Sequence, residues 1–265
     1  MKPLIAMRPG ISSLAVVLLA ASLWAPAAHA GDKAGDKAGD KKDKPKAASV
    51  QTVDSGSFGV FVKGQRVVTE TFNIQQSNGI NIIKAQLKET SGADPVTQKS
   101  EMRITANGDL LQYDWSQSTG GSLMVVPNND FLLEKITPPG SSKTAEKPFL
   151  MPIASSILDN NFFVHREVLI WRYLQADCAP NGGDLKCQKG PAQFGILVPQ
   201  DQTSASVRLD LVGKEKVAIH GAERELLRLN LKGENIEWSL WVDDQNQFKL
   251  MRVSIPADDT EVVRD

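Results

Sequence analysis

The sequence predicts a mainly β protein: a large curled antiparallel sheet, a half-barrel, packed around one inserted α-helix. Three observations carry this. Apolar and polar residues alternate with a period of two through most of residues 58–136 and 194–255. Short turn signals separate these runs and leave no room for the crossovers that parallel strands require. Residues 153–176 lose the period of two and take up a helical pattern instead.

Phe58, Val60 and Val62 share one face of a first strand, Lys63-Gly64-Gln65 turns, and residues 66–75 return. Ser77-Asn78-Gly79 turns into a strand over residues 80–88. After a loop at 90–96, a strand over 99–106 runs into Asn107-Gly108, the clearest hairpin signal because both residues accept positive φ, and residues 110–115 leave it. Residues 123–126 and 131–136 pair across Pro127-Asn128-Asn129-Asp130, and 138–148 form a loop. In the aperiodic stretch, Phe162, Val168, Leu169 and Tyr173, with Phe163, Arg166 and Ile170 between them, give a helix with a wide apolar face. Ser155 or Asp159 is placed to cap its start, and it should end near Asp177. Strands resume with 194–198, then Val207, Leu209 and Leu211, then 216–219, then Leu227, Leu229 and Leu231. Ile236, Trp238, Leu240 and Val242 alternate with Glu237, Ser239, Trp241 and Asp243, so Trp238 and Trp241 should face opposite ways. An exposed Trp241 would mark a partner-binding surface. Residues 248–255 follow the turn at 243–247, and Val262-Val263 closes the sheet, for about a dozen strands in all. A sheet this long curls, and the lone helix buries its apolar face on the concave side. A barrel plugged by the helix and a two-sheet sandwich are the alternatives.

Residues 1–30 read as a signal peptide. Lys2 and Arg8 form the basic start, Ile11 to Leu23 the apolar core and Ala28-His29-Ala30 the cleavage site, and no acidic residue precedes Asp32. The apolar run is shorter than the ~20 residues of a membrane span, which sets aside the alternative of an uncleaved anchor. Residues 31–48 are a disordered Gly/Asp/Lys linker with a repeated Gly-Asp-Lys-Ala, read as a spacer rather than an electrostatic arm. Residues 49–265 form a single β-rich domain, placed in the periplasm or outside the cell. Cys178 and Cys187 are the only cysteines, and in an exported chain they should form a disulfide. A redox pair or metal site would need CxxC spacing or a nearby His, and neither occurs.

Residues 47–265 carry a net charge of −5 with no basic stripe, which argues against a nucleic-acid partner. No segment after the signal is long and apolar enough to span a membrane. His165 and His220 are the only histidines past the signal. His165 can be a general base oriented by Glu167 or Asp159, but residues two apart on a helix do not face each other, so a surface or interface histidine is the preferred reading. His220, before Gly221, reads as a turn residue. Asp159, Asn160 and Asn161 can offer oxygens to a cation, though helix capping explains them more simply. No nucleophile elbow, HExxH, Walker loop or GxGxxG appears, so no catalytic residue, cofactor or metal is expected. Trp115, Phe162, Phe163, Trp171, Tyr173 and Trp238 are the candidate ligand-binding residues, being enough to line an apolar cavity between sheet and helix. A plain packed core is the competing reading and the preferred one.

The pattern resembles the periplasmic lipoprotein-carrier (LolA/LolB-like) half-barrel proteins. Trp238-Ser239-Leu240-Trp241-Val242-Asp243-Asp244, followed by Phe248-Lys249-Leu250-Met251-Arg252-Val253, also resembles a related class of uncharacterised exported β-sheet proteins. So does the opening Gly56 to Gly64 with Arg66-Val67-Val68. The resemblance implies an incomplete antiparallel barrel with helical structure at its mouth and no assigned activity. The leading expectation is a non-catalytic envelope protein binding a lipid-like ligand or a lipidated protein partner. A structural or interaction protein with a filled core is the second, and a hydrolase with an unrecognised site the third.

Overall fold

The computed structural model describes residues 50–265 apart from 91–93, 153, 183 and 189. The signal peptide and the Gly/Asp/Lys linker therefore lie outside the described residues.

The first half of the chain is a strand-by-strand meander: β1 (Gln51–Val62), β2 (Gln65–Ser77), β3 (Ile80–Glu89), β4 (Thr97–Thr105), β5 (Leu110–Gln117), β6 (Ser122–Asn128), β7 (Phe131–Thr137) and β8 (Ala145–Phe149). A short β9 (Ser156–Ile157), the helix α1 (Val164–Asp177) and the hairpin β10 (Cys178–Asn181) and β11 (Asp184–Cys187) make up the middle. A second meander follows: β12 (Ala192–Val198), β13 (Thr203–Ile219), β14 (Ala222–Lys232), β15 (Glu237–Asp243), β16 (Lys249–Ile255) and β17 (Thr260–Arg264). Fifteen of these strands form one sheet in the order β8-β7-β6-β5-β4-β3-β2-β1-β17-β16-β15-β14-β13-β12-β9. It is antiparallel except where β9 lies parallel to β12, and it does not close on itself. The first and last strands meet in its interior, with Phe58 opposite Arg264. The curled antiparallel sheet around one helix is thus the architecture adopted.

The alternation dictates which face is inside. Val68, Phe72 and Ile74 on β2, Ile83, Ala85 and Leu87 on β3, and Leu227, Leu229 and Leu231 on β14 all point to the core that holds α1. Two-residue turns with both central residues at positive φ join the strands at Lys63-Gly64, Asn78-Gly79 and His220-Gly221. His220 is the turn residue expected, and its Nε2 lies 2.6 Å from the Arg264 carbonyl oxygen. At Asn107-Gly108 the expectation is half right. Only Gly108 has positive φ (85°), because this loop carries four residues and a register shift at Arg103/Ile104 rather than a two-residue turn.

Several expectations are corrected. Among the described residues seventeen strands form, not a dozen, because polar segments such as Ala145-Glu146-Lys147-Pro148-Phe149 pair at the sheet edge through their backbone without any apolar alternation. The helix starts at Val164, so neither Ser155 nor Asp159 caps it. Ser155 precedes β9, which uses the chain before the helix to cover part of the β12 edge. His165 is not a surface residue: it is 1% exposed, because the first turn of α1 is buried in the core of the curled sheet. Trp238 and Trp241 do face opposite ways, but Trp241 is only 7% exposed. On the outer face it packs with Val217, Ile219, Leu226 and Met251, under the guanidinium groups of Arg228 and Arg252. The Cys178–Cys187 disulfide forms, across directly paired positions of the β10–β11 hairpin.

Candidate functional site

The helix enters the barrel through its charged end. Val164, His165, Arg166 and Glu167 occupy its first turn, and all four are buried. The amides there that lack an intrahelical partner find an acceptor far away in sequence. Glu70, inward on β2 between Val68 and Phe72, accepts from the Phe163 amide at 2.6 Å and the Val164 amide at 3.1 Å. A carboxylate at a helix N-terminus is favoured by the helix dipole. Burial nevertheless outweighs these bonds and pushes Glu70 up to about 8.

Arg166 lies beside this cap with its side chain fully buried. Its Nη1 donates to the backbone carbonyls of Asp159 and Phe162, and its guanidinium sits 4.9 Å from the Phe163 ring centroid and 4.8 Å from that of Trp238. The Asp159 carboxylate accepts from the Tyr113 hydroxyl, the Gln200 side-chain amide and the Asn161 backbone amide. Burial raises Asp159 above the usual carboxylate range and Tyr113 well above its own. The same burial drives His165 down to about 3, so its imidazole is neutral. Neither His165 ring nitrogen has a hydrogen-bond partner. In the same first turn of α1, Glu167 accepts from the Leu250 amide and from Arg264, whose other nitrogen holds Asp54 at 2.7 Å. Lys249 also reaches Asp54, at 3.2 Å. This network ties β1, β16, β17 and the helix together.

The residues singled out as ligand candidates do not converge on one cavity. Phe162, Phe163 and Tyr173 are core side chains at most 1% exposed. Trp115 donates to Gln98 and borders a space of about 170 Å³ near Gln200. Trp171 donates to the Phe248 carbonyl and borders two spaces. One, of about 70 Å³, lies between the helix and β4–β5; the other, of about 310 Å³, lies beside Leu174 and Phe248. Trp238 walls a cavity of about 350 Å³ at the other end of the barrel. A concavity of about 810 Å³ is on the outside of the sheet, across β2–β7. Lys84, Gln86, Lys99, Glu101, Asp114 and Lys135 line it, with Lys84 paired to Glu101 at 3.4 Å and Lys135 to Glu146 at 3.0 Å. Among the described residues, no group of three or more His, Cys, Asp or Glu side chains is placed to hold a metal ion. No described helix is long and apolar enough to cross a membrane.

No protein-family model and no curated protein matches the sequence. A crystal structure from Brucella abortus, described as a beta-barrel-like protein of domain of unknown function DUF1849, superposes with a TM-score of 0.48 at 7% identity. The alignment covers 80% of this chain and 94% of that one. Nothing in these comparisons is specific to lipoprotein carriers.

Sequence reasoning missed the buried charges. Glu70, Glu134, Asp54 and Arg264 stand at inward positions of strands, and Arg166 and Glu167 on the inward turns of the helix. The available signal was a charged residue interrupting an otherwise apolar inward series, as Glu70 does between Val68 and Phe72.

Proposed function

We propose that the chain is a non-catalytic, exported protein of the cell envelope that acts as an interaction module with a filled core. The observation carrying this reading is the small volume left between helix and facing strands. Between the helix and β4–β5 it is about 70 Å³, well below the roughly 300–1,000 Å³ of ordinary small-molecule sites, and the larger spaces of about 310 and 350 Å³ each take in only one of the six candidate side chains, Trp171 and Trp238 respectively. A lipid-like ligand held by Trp115, Phe162, Phe163, Trp171, Tyr173 and Trp238 would need one shared cavity, whereas these side chains divide among the core and separate spaces. The titratable groups best suited to chemistry, His165 and Asp159, are at most 1% exposed, which supports a structural role for them. The outer groove across β2–β7, with its lysines, acids and amides, offers the surface for a polar segment of an envelope protein partner. The disulfide and the sequence of residues 1–30 support export.

A photo-crosslinking residue placed at Lys99 or Gln86 in living cells should trap one discrete protein adduct. The same residue at Val212, exposed on the other half of the sheet, should not. Equal adducts at both positions would remove the groove from the proposal. Stoichiometric lipid in mass spectra of protein purified from its native envelope would overturn the filled-core reading in favour of a carrier. The N-terminus of the purified protein should be Gly31, and a broad esterase and glycosidase screen should stay silent.

A further inference from the structure

The sheet holds a place for a strand that the described residues do not supply. β17 lies between β1 and β16, pairing with β1 from Val62 to Phe58 and with β16 from Ile255 to Arg252. Both neighbours extend beyond its end, β1 to Gln51 and β16 to Lys249. Among the described residues, no strand pairs with residues 51–56 of β1, or with Lys249 and Leu250 of β16, on the side where β17 would continue. A slot one strand wide is left. Its inner part is closed by side chains. Arg264 donates to the Ser55 and Leu250 carbonyls, Glu167 accepts from the Leu250 amide, and Lys249 reaches across to Asp54 at 3.2 Å. These bonds stand in for those a strand would make. Its outer part is open. There the space of about 310 Å³ has Gln51, Thr52 and Val53 of β1 on one side, Gln247 and Phe248 on the other, and Trp171 and Leu174 of the helix beneath. None of these side chains is charged.

We propose that this slot receives an extended peptide segment of a partner chain, added as a strand antiparallel to β1, with one large apolar side chain set between Trp171, Leu174 and Phe248. The slot shares no lining residue with the outer groove across β2–β7, and the core behind it stays filled, so this is a second docking site on the same interaction module. An unpaired strand edge is a template for another chain. Main-chain bonds to such an edge supply affinity, and a pocket for an alternate side chain supplies specificity. A peptide suits the slot better than an acyl chain does, because the free edge of β1 and the exposed amides of Gln51 and Gln247 call for donors and acceptors. The uncharged walls favour an apolar anchor over a charged one. The turn that closes the slot is itself strained. Gln247 and Phe248 both take positive φ, 57° and 55°, which is unusual for a bulky residue. The Trp171 indole N–H donates to the Phe248 carbonyl at 3.1 Å and holds that turn in place. Strain of this kind persists where it shapes a binding surface.

Titrating the blocked peptide acetyl-Ser-Thr-Phe-Thr-Ser-amide into the purified protein should give saturable binding by calorimetry and shift the Trp171 indole N–H resonance. The same peptide N-methylated at its central amides keeps the side chains and loses the ladder donors, and should bind about 10- to 100-fold more weakly. A peptide with lysine in place of phenylalanine should not bind. Thr52→Trp, at an exposed residue lining the slot, should block binding with the melting temperature unchanged, while Val212→Trp on the other half of the sheet should leave binding as it was. No saturable binding at about 1 mM peptide, equal binding of the N-methylated peptide, or unchanged binding to a folded Thr52→Trp variant would each overturn the proposal. A dimer in sedimentation that Thr52→Trp dissolves would also overturn it, by making the occupant a second copy of this chain.

Discussion

Glu134 should make the protein lose stability as the medium turns alkaline. It points inward from β7 between Leu132 and Ile136, is 0% exposed, and has no hydrogen-bond partner on either carboxylate oxygen. Burial pushes it up to about 7, from an ordinary 4.5. Below pH 4.5 the acid is protonated in both the folded and unfolded chain and contributes no pH dependence. Between pH 4.5 and 7 the unfolded chain gives up its proton while the folded one keeps it, so folding becomes steadily less favourable. Above pH 7 the full difference applies. It amounts to 2.5 pH units, or about 3 kcal/mol at 1.36 kcal/mol per unit. Glu134→Gln keeps the shape and removes the titration. At pH 8.5 it should raise the melting temperature by roughly 6–12 °C, taking ~2–4 °C per kcal/mol for a domain of this size. At pH 4 the two proteins should melt together. Parallel melting curves from pH 4 to 8.5, or a Gln variant less stable at pH 8.5, would refute a buried, proton-retaining Glu134.

The same folded core makes other tests. His165, held at about 3 against an ordinary 6.5, contributes stability that is present above pH 6.5 and lost as pH falls toward 3. Urea midpoints of the wild type should therefore fall over that window more steeply than those of His165→Gln. Glu70→Leu strands the Phe163 and Val164 amides, each costing about 1–3 kcal/mol, whereas Glu70→Gln keeps an acceptor. The Leu variant should have the lower urea midpoint, and the reverse order would deny Glu70 its capping role. Arg264→Met leaves Asp54 and Glu167 buried without their cation and should cost about 3–5 kcal/mol, read from chemical denaturation; a loss under ~1 kcal/mol would show the network to be idle. Replacing both cysteines of the Cys178–Cys187 bridge with serine, which opens a loop of sequence separation 9, should cost about 2–3 kcal/mol, visible as a lower melting temperature.

Most of the sheet could be read from the chain because each strand writes its inward face as every second residue. Val207, Leu209 and Leu211 or Leu227, Leu229 and Leu231 need no tertiary information to be placed. The segments that went unread were those whose structure comes from elsewhere. Ala145–Phe149 pairs only because β7 offers it an edge, and Ser156–Ile157 only because β12 does. The start of the helix was misplaced for the same reason. Its capping group, Glu70, lies 93 positions away from the amide it accepts, and local capping rules see only neighbours. His165 was read as a surface residue because periodicity assigns one apolar face to a helix. Here all four residues of the first turn are buried, the polar ones included. The cavities were beyond reach altogether, since volume depends on how Trp238, Arg166 and Ile236 meet across three elements.

The seam between β1 and β17 imposes an order of events on folding. Phe58 faces Arg264, so the middle of the sheet is joined by the two segments furthest apart along the chain. Each meander can assemble from near neighbours, but they merge into one sheet only when β17 reaches β1. Contacts of such long sequence separation are slow to form. A chain cut short by a few residues at its C-terminus would hold two unjoined half-sheets with β1 bare along one side. The integrity of the whole is therefore read out at its final strand, and an incomplete copy is exposed to proteolysis or aggregation instead of persisting as a partly folded one.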